Sequence, residues 1–95
     1  MSKRQYRSDL GIISEILSAT MDGGRNGIII SAISRRTNLS HNVAIEKCQR
    51  LTDLGLIESK NNQRNRIFVI TDRGIQFFQQ LQEFIENMHG IKIRF

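Results

Sequence analysis

The sequence predicts a mainly α-helical chain with a small β-hairpin, and three observations carry that prediction. Apolar residues recur with a period of 3.6 near both ends, over residues 8–21 and 75–88. Two short apolar-bearing runs, residues 56–60 and 66–70, flank the polar stretch Asn61-Asn-Gln-Arg-Asn65, which is a hairpin pattern. Glycine and small polar residues fall where helices have to start or stop.

In the first helix, Leu10, Ile13, Ile16, Leu17 and Thr20 share one face, with Ser8 as N-cap and an end near Met21. Asp22-Gly-Gly-Arg-Asn-Gly27 then places three glycines in six residues, enough for a sharp reversal. It reads as a turn and not as a phosphate cradle, because no Gly-Lys-Ser/Thr follows and no strand precedes. Ile28-Ile-Ile30 alone would pass for a strand. Ile29, Ile30 and Ile33 together fit a short helix better, which leaves Ile28 to a brief leading strand. Thr37-Asn-Leu-Ser40 is a tight turn in which Asn38 tolerates the left-handed conformation, Leu39 plugs the core and Ser40 caps the next helix. That helix runs to about Leu54 and is closed by Gly55. After the hairpin, Thr71 or Asp72 caps a last helix that reaches His89 and is closed by Gly90. The tail Ile91-Lys-Ile-Arg-Phe95 alternates apolar and basic residues and suits either a short strand or a docked extension.

Helix, short helix, turn, helix, hairpin and long helix, in that order, make a winged helix-turn-helix with a long C-terminal helix appended. The expected division is residues 1–73 for the winged helix-turn-helix and 74–95 for the C-terminal helix and tail, which the charge and apolar patterns below assign to DNA binding and dimerisation respectively.

Ninety-five residues make one domain, and a chain this short buries only about two-thirds of the surface its unfolded form exposes. The longest apolar run, 67–70, is far too short to span a bilayer, and the polar start lacks the apolar core of a signal peptide. A cytoplasmic location is therefore expected, with no membrane partner. The single Cys48 has no partner for an internal disulfide and reads as a small apolar packing residue before a redox-sensing thiol. His41 and His89 lie far apart, so no metal set has ligand spacing and no cofactor is expected. No nucleophile–base pair or carboxylate pair stands out either, which argues against an enzyme.

The net charge is +5, and its distribution matters more than its size. Residues 1–24 and 67–95 each balance three basic against three acidic side chains, whereas 25–66 carry eight against three. The entire surplus sits in the middle. That localisation predicts a polyanionic partner, nucleic acid before membrane, because the segment is not one basic amphipathic helix.

Within the middle segment, the helix SHNVAIEKCQRL turns Ala44, Cys48, Leu51 and Leu54 to one side, with Lys47 snorkelling at the edge. The opposite side presents Asn42, Ile45, Glu46 and Gln49, with His41 in the first turn and Arg50 at the margin. Amide, imidazole and guanidinium groups can hydrogen-bond base edges and phosphates, and a helix N-terminus capped by Ser40 suits a phosphate. Arg35 and Arg36 before the turn, and Arg64 and Arg66 in the hairpin, are placed to clamp the backbone on either side. Glu46 either accepts from a cytosine amino group or, the reading preferred here, pairs with Arg50 one turn on.

On the last helix Phe77, Phe78, Leu81, Phe84, Ile85 and Met88 form an apolar face, and 77-81-84-88 follows the spacing of a coiled-coil seam. The core is already supplied by Leu10, Ile13, Ile16, Leu17, Ile33, Leu39, Leu51 and the hairpin, so part of this face calls for a second copy of the chain.

Three signatures now carry a resemblance: Asn38-Leu-Ser40, Leu51-x-x-Leu-Gly-Leu-Ile-Glu58, and Thr71-Asp-Arg-Gly74 leading to Phe77. The chain resembles, over roughly residues 8–88, the small archaeal winged-helix DNA-binding proteins of about ten kilodaltons and the related ArnR-type winged helix-turn-helix family. The resemblance implies a homodimer joined by an antiparallel coiled coil of the C-terminal helices, binding double-stranded DNA as a transcriptional regulator or chromatin-organising protein. It places Phe77, Leu81, Phe84, Ile85 and Met88 in the dimer seam, Ser40, His41, Asn42 and Gln49 in the groove, and Arg64 and Arg66 on the wing. The chain departs from the pattern at Ser34-Arg35-Arg36-Thr37, where family members often carry more apolar residues, so the DNA contacts of Arg35 and Arg36 rest on charge. A rival reading is a protein-interaction winged helix within a larger assembly. No small-molecule ligand is evident.

Overall fold

Ser8 opens the first helix by accepting a hydrogen bond from the Gly11 amide on its Oγ at 3.0 Å, the N-cap its position in the sequence called for. The structure is a computed structural model and describes residues 8–93, with the backbone alone for Asn62 and residues 89–93. Helix α1 spans Asp9–Gly23 and leads into a short 3₁₀ turn, Gly24–Asn26. Strand β1 (Ile28–Ile29) and helix α2 (Ile30–Thr37) follow directly, then α3 (His41–Asp53), β2 (Ile57–Asn62), β3 (Asn65–Ile70) and α4 (Asp72–Ile93).

Between α2 and α3, Asn38 takes the left-handed conformation at φ 55°, and the Ser34 hydroxyl donates to the Leu39 carbonyl to close the turn. Ser40 caps α3 by accepting from the Val43 amide at 3.2 Å. Two buried hydroxyls are satisfied within their own helices: Thr20 donates to the Leu17 carbonyl and Thr37 to that of Ile33. Burial of these threonines therefore leaves no polar group unpaired.

The sheet is three-stranded and antiparallel, in the order β1-β3-β2. Opposed pairs Ile57↔Ile70, Ser59↔Phe68 and Asn61↔Arg66 lie on one face, and Glu58↔Val69 and Lys60↔Ile67 on the other. The first face covers the core, where Phe68 and Ile57 join Ile16, Leu17, Ile33, Cys48, Leu51 and Leu56. Each large apolar side chain buried there contributes about 1.5–3 kcal/mol relative to exposure.

Several expectations need correction. α1 runs two residues past Met21, because the chain first adopts positive φ at Gly24. Leu10 lies outside the core, exposed in the first turn of α1. Leu54 is 54% exposed, since α3 ends one residue earlier and the side chain projects from the cap. The hairpin is tighter than a five-residue loop: the strands pair out to Asn62↔Asn65 and leave only Gln63 and Arg64, with Gln63 at φ 56°. Gly90 does not end α4, which continues to Ile93, so residues 91–93 are helical and no strand forms there. The last two positions of the tail, 94 and 95, lie outside the described residues.

α4 is tied to the rest of the fold from its first turn. Thr71 accepts from the Gly74 amide on Oγ1 at 3.0 Å, which settles the cap on Thr71. Further along, Ser14 on α1 donates to Gln82 Oε1 at 2.9 Å. Phe77 and Phe78 pack against the core and Leu81 is only 5% exposed, so this half of the helix belongs to the same body as α1.

Candidate nucleic-acid interface

α3 buries Ala44, Cys48 and Leu51, and that anchoring fixes which side faces solvent. His41, Asn42, Ile45, Glu46, Gln49 and Arg50 are all exposed. His41, Asn42 and Arg50 have no side-chain hydrogen bond or ion pair with another of the described residues, leaving their polar groups free. Lys47 sits half-buried at the margin, 3.5 Å from Asp9 Oδ1, in keeping with a snorkelling lysine.

Two expectations for this helix change. Glu46 makes no ion pair among the described residues, so the pairing with Arg50 is not formed and the guanidinium of Arg50 remains available. Gln49 is not free, because its Nε2 donates to Asp53 Oδ1 at 3.1 Å one turn along.

The arginines divide. Arg36 forms an ion pair of 2.8 Å with Asp22 at the end of α1 and lines a crevice with Ser14, Glu15, Ser18, Phe78 and Gln82. It therefore faces α1 and α4 and does not join the cluster expected beside α3. One residue earlier, and about 100° around the helix, Arg35 is exposed and makes no ion pair with any described residue. Lys60 lies 3.8 Å from Glu58 on the outer face of the hairpin. Of the eight basic residues in 25–66, Arg36, Lys47 and Lys60 thus have carboxylate partners. Among the described residues, Arg25, Arg35, Arg50, Arg64 and Arg66 have none.

Arg64 occupies the exposed hairpin tip. Arg66 stands on the core-facing side of β3, two residues before Phe68. Its Nε donates to Ser59 Oγ at 2.6 Å, and its guanidinium carbon lies 5.2 Å from the centroid of the Phe68 ring. This places the charge on the α3 side of the wing, where it pulls on the Cys48 thiol. Burial pushes that thiol up from 9.0 to about 11, and the Arg66 charge opposes the shift more weakly. A fully buried thiol held neutral is a packing residue, not a reactive one.

Ser59 was invisible to the sequence reading as a partner of Arg66. Diagonal contact across a hairpin requires the register, and the Asn-rich loop left the register open.

Of the residues assigned to a seam on α4, Phe84 and Met88 are 50% and 44% exposed, Ile85 is half-buried, and Phe77 and Leu81 are largely taken up by their own chain. Among the described residues, no group of three or more His, Cys, Asp or Glu side chains could hold a metal ion, and no helix is long and apolar enough to cross a membrane.

A family model described as winged helix-turn-helix matches residues 6–89. Among solved structures, the chain is similar to Sso10a-2, a DNA-binding protein from Sulfolobus solfataricus, with 22% identity, 93% of this chain and 92% of that one covered, and a TM-score of 0.76. It is similar to AF1382 from Archaeoglobus fulgidus, at 20% identity over 85% of this chain and 90% of that one, TM-score 0.71. A transcriptional regulator of the MarR family from Rhodococcus sp. RHA1 superposes with a TM-score of 0.78 at 15% identity, covering 85% of this chain but 58% of its own. No curated protein matches the chain.

Proposed function

The chain belongs to the winged helix-turn-helix family, and from that premise we propose that it binds double-stranded DNA as a transcriptional regulator or chromatin-organising protein. α3 enters the major groove, and the hairpin lies along the backbone or in the adjacent minor groove as a basic wing. One observation supports this reading: α3 exposes His41, Asn42 and Arg50 without a partner among the described residues, and Arg66 is fixed on the α3 side of the wing. Exposed Arg35 and Arg64, which pair with no carboxylate among the described residues, add charge suited to phosphates beside a hydrogen-bonding helix.

Within this reading, Ser40 and His41 at the N-terminus of α3 meet phosphate, Asn42 reads a base edge, and Arg35, Arg64 and Arg66 hold the backbone. Gln49 contributes once its bond to Asp53 is exchanged for one to DNA. Arg36 acts through the fold, tying α2 to α1. The finer assignment, to the small archaeal or ArnR-type proteins, is supported by near end-to-end superposition on Sso10a-2, a DNA-binding protein of similar length. The same assignment includes a homodimer through α4, centred on Phe84, Ile85 and Met88, with Phe77 and Leu81 mainly backing it from inside. A two-fold dimer sets two copies of α3 on one duplex.

The test is duplex binding as a function of salt, followed by fluorescence anisotropy. Neutralisation of about six phosphates gives a log–log slope of order −5. Arg64→Ala and Arg66→Ala weaken binding evenly across sequences, whereas Asn42→Ala alters sequence preference. No detectable binding at low salt overturns the reading in favour of a protein-interaction module.

A further inference from the structure

We propose that Ile45 is a specificity residue that contacts the 5-methyl group of a thymine in the major groove, next to the base pair addressed by Asn42. The inference rests on the DNA-binding reading and sharpens it.

Ile45 sits at the centre of the exposed face of α3 and is itself 39% exposed. The fold does not use it: the buried side of the helix is complete with Ala44, Cys48 and Leu51. Helix propensity does not explain it either, since a β-branched residue is a poorer helix former than most residues an exposed position could hold. Leu54, another exposed apolar residue near α3, lies nine positions on, roughly 13 Å along the helix axis. Ile45 is therefore a separate apolar point, not the edge of the patch on α4.

Its neighbours say what such a point can touch. Asn42 lies one turn before it with a free amide that can hydrogen-bond adenine in both directions. Glu46 offers only acceptors, and Gln49 is held by Asp53. With His41 in the first turn and Arg50 at the margin of the face given to phosphates, the centre of the face holds one free amide and one apolar side chain, which matches an A·T-containing step. Thymine alone among the four bases marks the major groove with a methyl group. Side chains at i and i+3 stand about 5–6 Å apart, against a base rise of 3.4 Å, so Asn42 and Ile45 address neighbouring or next-neighbouring pairs.

The experiment uses the full chain. A selection from randomised duplexes gives the preferred site, and each thymine in it is then replaced singly by deoxyuridine, which lacks only the methyl group. At one position the parent loses about fourfold in affinity, the factor expected for removing one methyl from an apolar contact. Ile45→Ala binds the thymine duplex with a similar loss and no longer distinguishes thymine from deoxyuridine there. Circular dichroism shows whether the variant keeps its helices, as an exposed site should allow. Equal parental affinity for every thymine and deoxyuridine pair, a selection with no preferred site, or discrimination that survives in Ile45→Ala each overturns this inference while leaving DNA binding standing. Failure of the parent to bind any duplex overturns both.

Discussion

Ser59 and Arg66 lie diagonally across the hairpin, and the Ser59 hydroxyl accepts the Arg66 Nε–H at 2.6 Å while the guanidinium rests over Phe68. One arginine of the wing is thereby held from two directions while the residue stays exposed. Arg64, two residues away at the tip, has no such support among the described residues. The two wing arginines carry the same charge with different degrees of preorganisation, and preorganised contacts bind with less loss of side-chain freedom.

Ser59→Ala removes the brace without changing the charge. Affinity for duplex DNA should fall about three- to tenfold, in line with a net hydrogen-bond contribution of about 1 kcal/mol. The salt slope should stay as in the parent, because the number of phosphates met is the same. Ser59→Thr, which keeps the hydroxyl, should restore most of the affinity. Anisotropy titrations at several salt concentrations check all three.

Gly74 is where α4 meets the start of the hairpin. A Cβ there would overlap the Leu56 carbonyl oxygen and come within 2.8 Å of Ile70 Cγ1. That carbonyl cannot retreat freely, since it also accepts from the Thr71 amide at 3.1 Å. Gly74→Ala should destabilise the domain by about 3 kcal/mol through overpacking. Gly11→Ala is the contrasting case: among the described residues its Cβ would meet only Ser8 Oγ at 3.2 Å, and the better helix former should hold stability within about 1 kcal/mol of the parent. Urea unfolding of both variants tests the difference.

Cys48 should resist alkylation by iodoacetamide at pH 8 until the chain unfolds, because its thiol is buried and held neutral. The sign of the linkage follows from the raised folded-state value. Below pH 9.0 the thiol is neutral in both folded and unfolded chains, so its contribution to stability is fully present. Between pH 9.0 and about 11 the unfolded chain ionises first, and stability falls as pH rises. Cys48→Ala should lack this component of the alkaline decline, on top of a lower baseline from the lost sulfur contacts. Urea midpoints measured from pH 8 to 11 read both effects.

Phe84 and Met88, 50% and 44% exposed, present apolar surface on α4 that the other described residues leave open. If they form the centre of a two-fold seam, the parent should sediment at twice 11.0 kDa, and Phe84→Glu with Met88→Glu should return it to a monomer with unchanged helical content. Analytical ultracentrifugation decides it. A parent that sediments as a monomer at 100 µM rules out this seam.

Local features of the fold were legible residue by residue. Ser8 and Ser40 announce helix starts through hydroxyls that cap amides three residues on, and Asn38 marks the left-handed turn. Those signals depend on neighbours within one turn, so the sequence contains all their physics. The hairpin tip and the end of α4 were less legible. Cross-strand pairing drew Asn62 and Asn65 into the ladder, and helical hydrogen bonding carried the chain through Gly90 despite its low propensity.

The sequence by itself determined the order of elements, the buried side of α3 and the concentration of positive charge in 25–66, because periodicity, capping and composition are local quantities. Only the tertiary structure decided which charges are spent and which are free. Arg36 is neutralised by Asp22, fourteen residues away, and Arg66 is braced by Ser59 across the hairpin, while Arg35, Arg50 and Arg64 are left unpaired among the described residues. Ion pairs and diagonal contacts depend on distances between segments, and those distances exist only after the helices have packed and the strands have chosen their register.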